Sequence, residues 1–362
     1  MADGTETLGD PSVAIAEGNG IAVGGTGLFN QPGTISVDVP ADATIKQVLL
    51  YVETGHHSTG GTPADDTFNV GGASVTCPVI GGPAFFYGDV DTSSYRCDIT
   101  DLELVQPGSS SFDVDGLDPA DINDGAGVLV IYETPGPLGP IQVRDGNDIA
   151  FVDFEGERGV TVPQTFTFTP SLEDRTANLA LMVGSIANFQ EPDFTPRPST
   201  LRISVGGVDT YIEDPFGLGA DGPQFDTGLF DVNIPAGVSE VTVEMISRWG
   251  RDGLPASLVW VNATLAMGPA KIDVAPVIEP TTPSNPSTPS TPSNPVTPPV
   301  VQAPSNPPPA STPPTIVIES TTTLPVTGAA SNFALVLGLA AMTAGAAIFI
   351  GSRKRPTLTG TF

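Results

Sequence analysis

Thr34-Ile35-Ser36-Val37-Asp38-Val39 sets an apolar side chain at every second position, and Val48-Leu49-Leu50-Tyr51-Val52, a little further on, is apolar throughout. Alternation with a period of two marks a strand with one face in a core and the other in water. An unbroken apolar run of strand length fits a strand covered on both faces. Both patterns recur. Phe166 and Phe168 sit between threonines, and Leu201, Ile203, Val205 and then Val241, Val243, Met245 alternate. Val128 to Tyr132, Leu179 to Val183 and Leu258 to Val261 are of the dense kind. Gly, Pro, Asn and Asp punctuate these runs roughly every ten residues, a spacing typical of sandwiches and barrels. No segment of the body carries a 3.6-residue period. The expected fold class is all-β, with one or two β-sandwich domains.

Two sandwiches are favoured, at 11–134 and 141–270, preceded by an N-terminal arm at 1–10. The divider is Pro135-Gly136-Pro137-Leu138-Gly139-Pro140, in which three of six residues lack an N–H donor and cannot continue a central strand. The alternative is one large sandwich with a long loop at this point. From 276 to 322 the composition turns to Pro, Ser and Thr with almost no charge. That stretch reads as a disordered stalk, whose prolines at 280, 283, 286, 289, 292, 295 and 298 match the three-residue turn of polyproline II.

After the stalk come Leu324-Pro325-Val326-Thr327-Gly328, a hydrophobic segment at 329–351 and a basic tail at 352–355 that includes Arg353-Lys354-Arg355. Phe333 to Gly351 is free of charge and as a helix spans roughly 28 Å, close to a bilayer's hydrocarbon core, so a single C-terminal hydrophobic helix is expected. This ordered combination resembles the cell-wall sorting signal of Gram-positive LPXTG surface proteins. In that family a sortase cuts between Thr and Gly and joins the Thr carboxyl to a cell-wall amine. The resemblance implies that Thr327 becomes the mature C-terminus and that sortase and a cell-wall peptide are processing partners. It implies an extracellular, cell-wall-anchored location, with membrane contact only through the C-terminal segment before cleavage. An exported chain needs a leader, and MADGTETLGDPSVAIAEGNG has neither a basic start nor an apolar stretch, so the signal peptide is expected to be missing from this sequence.

The formal net charge is −28, and the part before residue 276 alone, with 10 Lys and Arg against 39 Asp and Glu, carries −29, which leaves no basic face for a nucleic acid. Cys77 and Cys97 are the only cysteines. An even count in an exported chain favours a disulfide over a metal site or a reactive thiol, and closing the short loop stabilises by about 3 kcal/mol. A Cys–Gln thioester is the alternative.

Chemistry-bearing motifs are sparse. His56 and His57 precede a glycine turn and read as exposed turn residues; a shared metal ion would require the segment to be looped. No G-x-S-x-G elbow, triad order or phosphate-cradling glycine loop is present. The acids are too numerous to nominate a catalytic pair by sequence. Asp113, Asp115, Asp118, Asp121 and Asp124, with Asn123, form the densest oxygen-rich stretch and make a calcium loop the candidate cofactor site, although Leu117 and Asp124 break the EF-hand pattern. Good turn-formers are the competing explanation. Surface proteins of this kind can carry Lys–Asn cross-links; Lys46 and Lys271 are the lysines of the body, and a surface role is expected for Lys46.

Residues 45–53, 94–102, 124–133 and 228–262 also resemble a β-rich module of unknown function in exported bacterial and archaeal proteins. That likeness brings no catalytic residue. The function expected is therefore an adhesion, interaction or coat module on a Pro-rich stalk, not an enzyme, with an unknown extracellular glycan or protein ligand. The alternative is an extracellular carbohydrate-active hydrolase, which needs two carboxyls about 5–9.5 Å apart in a cleft.

Overall fold

The computed structural model describes residues 6–57, 66–154, 159–186, 197–217, 221–248 and 254–272. The stalk at 276–322, the sorting motif at 324–328 and the hydrophobic segment lie outside them. The first strands are β1 (Leu8–Gly9), β2 (Gly20–Gly27), β3 (Gly33–Val39), β4 (Thr44–His57), β5 (Thr67–Val70), β6 (Ala73–Thr76), β7 (Val79–Tyr87), β8 (Val90–Asp98), β9 (Gly108–Asp115) and β10 (Ile122–Glu133). The later ones are β11 (Ile141–Ala150), β12 (Gln164–Thr167), β13 (Arg175–Gly184), β14 (Thr200–Val205), β15 (Val208–Glu213), β16 (Phe225–Ile234), β17 (Glu240–Ile246) and β18 (Leu258–Met267).

Four antiparallel sheets result, ordered β3-β9-β5-β6, β2-β10-β4-β8-β7, β1-β11-β18-β13-β16 and β12-β17-β14-β15. Three apolar layers hold them in that succession. Ile35, Val37, Leu50, Val52 and Val128 lie between the first and second sheets. Leu49, Tyr51, Leu129, Met182 and Val259 lie between the second and third, and Leu179, Leu181, Ile203, Val243 and Trp260 between the third and fourth. Two sandwiches thus stand back to back through their five-stranded sheets.

The two sequence patterns sort onto this stack. The alternating strands β3, β12, β14 and β17 belong to the outer, four-stranded sheets, which have one wet face. The dense strands β4, β10, β13 and β18 are interior to the inner sheets and carry side chains into a core on each face, which removes the alternation. Pro135 to Pro140 joins β10 to β11 and carries the chain from one inner sheet to the other. The first residues are more than an arm: Leu8 and Gly9 pair with Gly146 and Asp145 of β11, and Leu8 is buried.

Cys77, just after β6, is bonded to Cys97 of β8 with their Cα atoms 4.9 Å apart. The bond ties the outer sheet of the first sandwich to its inner sheet.

Candidate functional site

Polar groups cross the seam between the inner sheets. On β8, Thr92, Ser94 and Arg96 point toward the third sheet, since Tyr95 and Cys97 point the other way into the first sandwich's core. Arg96 donates to the carboxylate of Asp145 on β11 and, at 2.7 Å, to Ser12 Oγ. The Tyr51 hydroxyl donates to the same Asp145 oxygen at 3.1 Å. Asn147 accepts from Ser94 Oγ at 2.8 Å and donates to Thr92 Oγ1 at 3.0 Å. Burial pushes the Asp145 carboxyl up while Arg96 and the hydrogen bonds hold it down, and burial beside Asp145 pushes the Tyr51 hydroxyl well up.

Nearer the end of the seam lies a second polar group. Glu53 follows Leu49 and Tyr51 at two-residue steps and faces the third sheet with them. On β10, Asn123 pairs with Thr54 and Gly125 with Glu53, so Asp124 is the extra residue of a bulge. A bulge re-aims a side chain, and here Asp124 lies beside Glu53, within reach of the Ser185 amide that follows β13. Both acids are buried, at 0% and 2% exposure, and neither Glu53 oxygen nor Asp124 Oδ1 has a hydrogen-bond donor. Glu53 also abuts the opposite sheet: a Cβ at Gly184 of β13 would overlap its Oε2. Burial, then the neighbouring Asp124, push Glu53 well above the usual carboxylate range. Burial raises Asp124 to about 7, opposed by Glu53, the Ser185 amide and the Arg197 guanidinium. Burial and mutual proximity therefore favour the neutral form at this pair.

Arg197 is fixed by donation to Ser257 Oγ at 2.6 Å, and burial lowers its pKa against the pull of Tyr87 and Asp124. Tyr87, which ends β7, is raised by burial and by Asp124. Around these groups one end of both sandwiches converges. Gly184 pairs with Phe225 and Val259, Ala150 with Leu258, and His57 with Val90, so β4, β7, β11 and β13 finish here, and β8, β10, β16 and β18 begin here. Phe29, Tyr87, Val152 and Leu254 are exposed at this end.

The last strand, β18, runs to the other end. β18 finishes at Met267 opposite Ala177, near the start of β13, and the Leu172 amide donates to Lys271 O at 2.8 Å. A groove of about 690 Å3 lies there among Leu138, Ile141, Phe168, Arg175 and Ile272.

The residues singled out by sequence fare differently. Asp113 accepts from Thr34 at 2.7 Å, Asp115 from Asn69 at 2.7 Å and Asp118 from the Ala120 amide at 2.9 Å, while Asp124 turns into the seam. Among the described residues no group of three or more His, Cys, Asp and Glu side chains is arranged to hold a metal ion. The histidines end a strand rather than occupy an open turn: His56 is buried, and His57 meets Asp89 at 3.2 Å. Lys46 pairs with Glu133 on the surface at 3.3 Å. Sequence reading missed Glu53, Arg96, Asp145 and Arg197. The available signal was an ionisable residue inside or at the end of a strand apolar on both faces, as in Val48-Leu49-Leu50-Tyr51-Val52-Glu53.

Residues 320–355 match the family described as the LPXTG cell wall anchor motif. The protein is accordingly extracellular and cell-wall anchored, a sortase-processed surface protein of the Gram-positive type. No curated protein matches the chain. Among solved structures it is similar to the uncharacterized protein lmo2446 of Listeria monocytogenes EGD-e, at 12% identity and a TM-score of 0.21, over 65% of this chain and 19% of that one. The chain thus spans under a fifth of that protein's length. It is also similar to the N-glycanase PNGase F, at 13% identity and a TM-score of 0.24, over 75% of this chain and 97% of that one. The insecticidal delta-endotoxin Cry8Ea1 of Bacillus thuringiensis matches at 8% identity and a TM-score of 0.20, over 74% and 60%. Likenesses this faint carry no functional argument.

Proposed function

We propose that this sortase-anchored protein is an adhesion module that meets an extracellular glycan or protein with the end of the body where β4, β11 and β13 finish. The observation that carries the reading is the polarity of the body: its last strand, β18, finishes at Met267 at the opposite end from those strand ends, and the anchor motif follows it in the sequence. Loops at the ends of a rigid sandwich are where binding residues collect. Exposed Phe29 and Tyr87 at this end supply the aromatic surface that interfaces favour. Binding is preferred to hydrolysis because the coupled carboxyls Glu53 and Asp124 are closed to a substrate.

Cells displaying the wild-type protein on glycan and matrix-protein arrays test the reading. Retention on a defined ligand should fall at least about tenfold on Tyr87→Ala or Phe29→Ser, the loss expected of a contact anchor. Leu172→Ala, exposed at the tail end, should leave it unchanged. Equal retention by all three variants would place the contact surface elsewhere.

A further inference from the structure

The Glu53–Asp124 pair occupies a mechanical position as well as an electrostatic one. Glu53 and Asp124 sit on neighbouring strands of one sandwich, and what they press against belongs to the other: Gly184, the Ser185 amide and Arg197. Level with the pair, Phe225, which faces Gly184 in the register of β16, packs so closely over Gly125 and Gly127 that a Cβ at Gly125 would overlap it. Beside them the Arg96–Asp145 pair and Asn147 bind β8 to β11. The seam is therefore clamped by the Arg96–Asp145 pair, and at its loop end it rests on two carboxyls of which both Glu53 oxygens and Asp124 Oδ1 lack donors.

The charged and titratable groups around the pair come from every element packed on it. From the second sandwich this is Arg197, held by Ser257; Asp226 on β16, between the seam-facing Phe225 and Thr227, points to the opposite face of its sheet. From the first they are Tyr87 on β7, Asp89 in the β7–β8 turn and His57, which Asp89 engages. Among the described residues Arg197 is the cation that acts on Asp124, and its guanidinium is already committed to Ser257.

We propose that Glu53 and Asp124 form a proton-operated latch between the two sandwiches. While they hold a proton between them the loop end stays closed. When the proton leaves, two adjacent carboxylates with three of their four oxygens lacking donors repel, and the cheapest relief is to admit water by parting the strand ends at Gly125 and Gly184. The clamp at Arg96–Asp145, one two-residue step further into the seam, confines the movement to that end. The latch thereby regulates the surface assigned above to ligand contact. It rests on that assignment only for its biological use, since opening is a property of the body alone.

Hydrogen exchange on the mature protein, released by wall digestion, tests the latch separately from any ligand. After correction for the intrinsic pH dependence of exchange, peptides covering 122–126 and 182–186 should lose about tenfold in protection between pH 6 and pH 8.5, against a limit of tenfold per pH unit per proton. Peptides covering Tyr51 and Asp145 should keep theirs. Glu53→Gln should reduce the change to under about twofold, because one neutral partner removes the repulsion. Asp124→Asn should do the same, and serves if Glu53→Gln does not fold. Protection that is flat with pH in the wild type, or a response that survives both substitutions, would overturn the latch, whether or not the loop end binds a ligand.

Discussion

Arg96 on β8 and Asp145 on β11 form an ion pair that joins one sandwich to the other, and both side chains are sealed from water, at 1% and 3% exposure. Tyr51 and Ser12 add hydrogen bonds to them, while Arg96 Nε is left without a partner. The two sandwiches therefore do not swing on the Pro135–Pro140 connection as separate beads. Their inner sheets share a core with ionic contacts inside it, and the strands buried on both faces owe their composition to that shared core.

Breaking this pair from one side should be costly. Asp145→Ala leaves the Arg96 guanidinium buried without its carboxylate, for an expected loss of about 3–5 kcal/mol. Replacing both partners, Arg96→Met with Asp145→Leu, should recover most of that loss, because a buried pair exchanged for apolar groups of similar volume is near neutral. Urea unfolding of the two variants distinguishes the cases. A single-variant loss below about 1 kcal/mol would mean that water reaches the seam.

The Cys77–Cys97 bond should contribute about 3 kcal/mol by restricting the unfolded chain, given the separation of 20 residues. Both cysteines are buried, so a Cys77→Ala/Cys97→Ala variant avoids burying hydroxyls. Its denaturation midpoint should match that of the reduced wild type and fall below that of the oxidised form. Coincident oxidised and reduced curves would remove the cross-link from the stability of the fold.

Stability should depend on pH in a direction set by raised carboxyls. Asp124 at about 7 and Asp148 at about 8, both chiefly through burial, and Glu53, raised well up, all hold protons in the folded state that they lose when unfolded near neutrality. Their contribution is full below the unfolded carboxylate range near 4 and is lost as pH climbs through about 7 and 8. Melting temperature should therefore decline from mildly acid to mildly alkaline solution. Glu53→Gln should flatten the part of the decline that belongs to the pair and leave the Asp148 part, whose carboxyl accepts from the Val162 amide at 2.8 Å. A wild-type melting temperature that rises over the same interval would contradict the burial of these acids.

What the sequence disclosed followed the water. Outer strands such as Ile35-Ser36-Val37 advertise one wet face through alternation, and inner strands such as Val48 to Val52 advertise two dry ones, so the class of fold and the middle strands were legible. Cys77 and Cys97 were legible because two cysteines admit a single intramolecular pairing. The seam was not, because the partner of Arg96 lies 49 residues away on the other sandwich, and no local pattern couples the two. The re-aiming of Asp124 depends on one extra residue in β10, visible only in the register against β4. In the sequence Asp124 reads with Asp113, Asp115, Asp118 and Asp121, and in the fold it belongs with Glu53.

The attachment of this body to the cell is expected to pass through Thr327. Residues 320–355 match the anchor motif, and within them Leu324-Pro325-Val326-Thr327-Gly328 precedes an uncharged apolar segment and Arg353-Lys354-Arg355. An apolar stretch near the length of a bilayer halts export, and the cations hold the tail inside, which presents the Thr327–Gly328 bond just outside the membrane. The roles are separable by experiment. Thr327→Ala should block cleavage and leave the protein extractable from membranes by detergent, whereas deleting residues 329–362 should release it to the medium. Wall-digesting enzymes should free the wild type with a cell-wall fragment on Thr327, detected as added mass on its C-terminal peptide. Recovery of wild-type protein from the membrane with residues 328–362 still attached would reduce the segment to a transmembrane anchor.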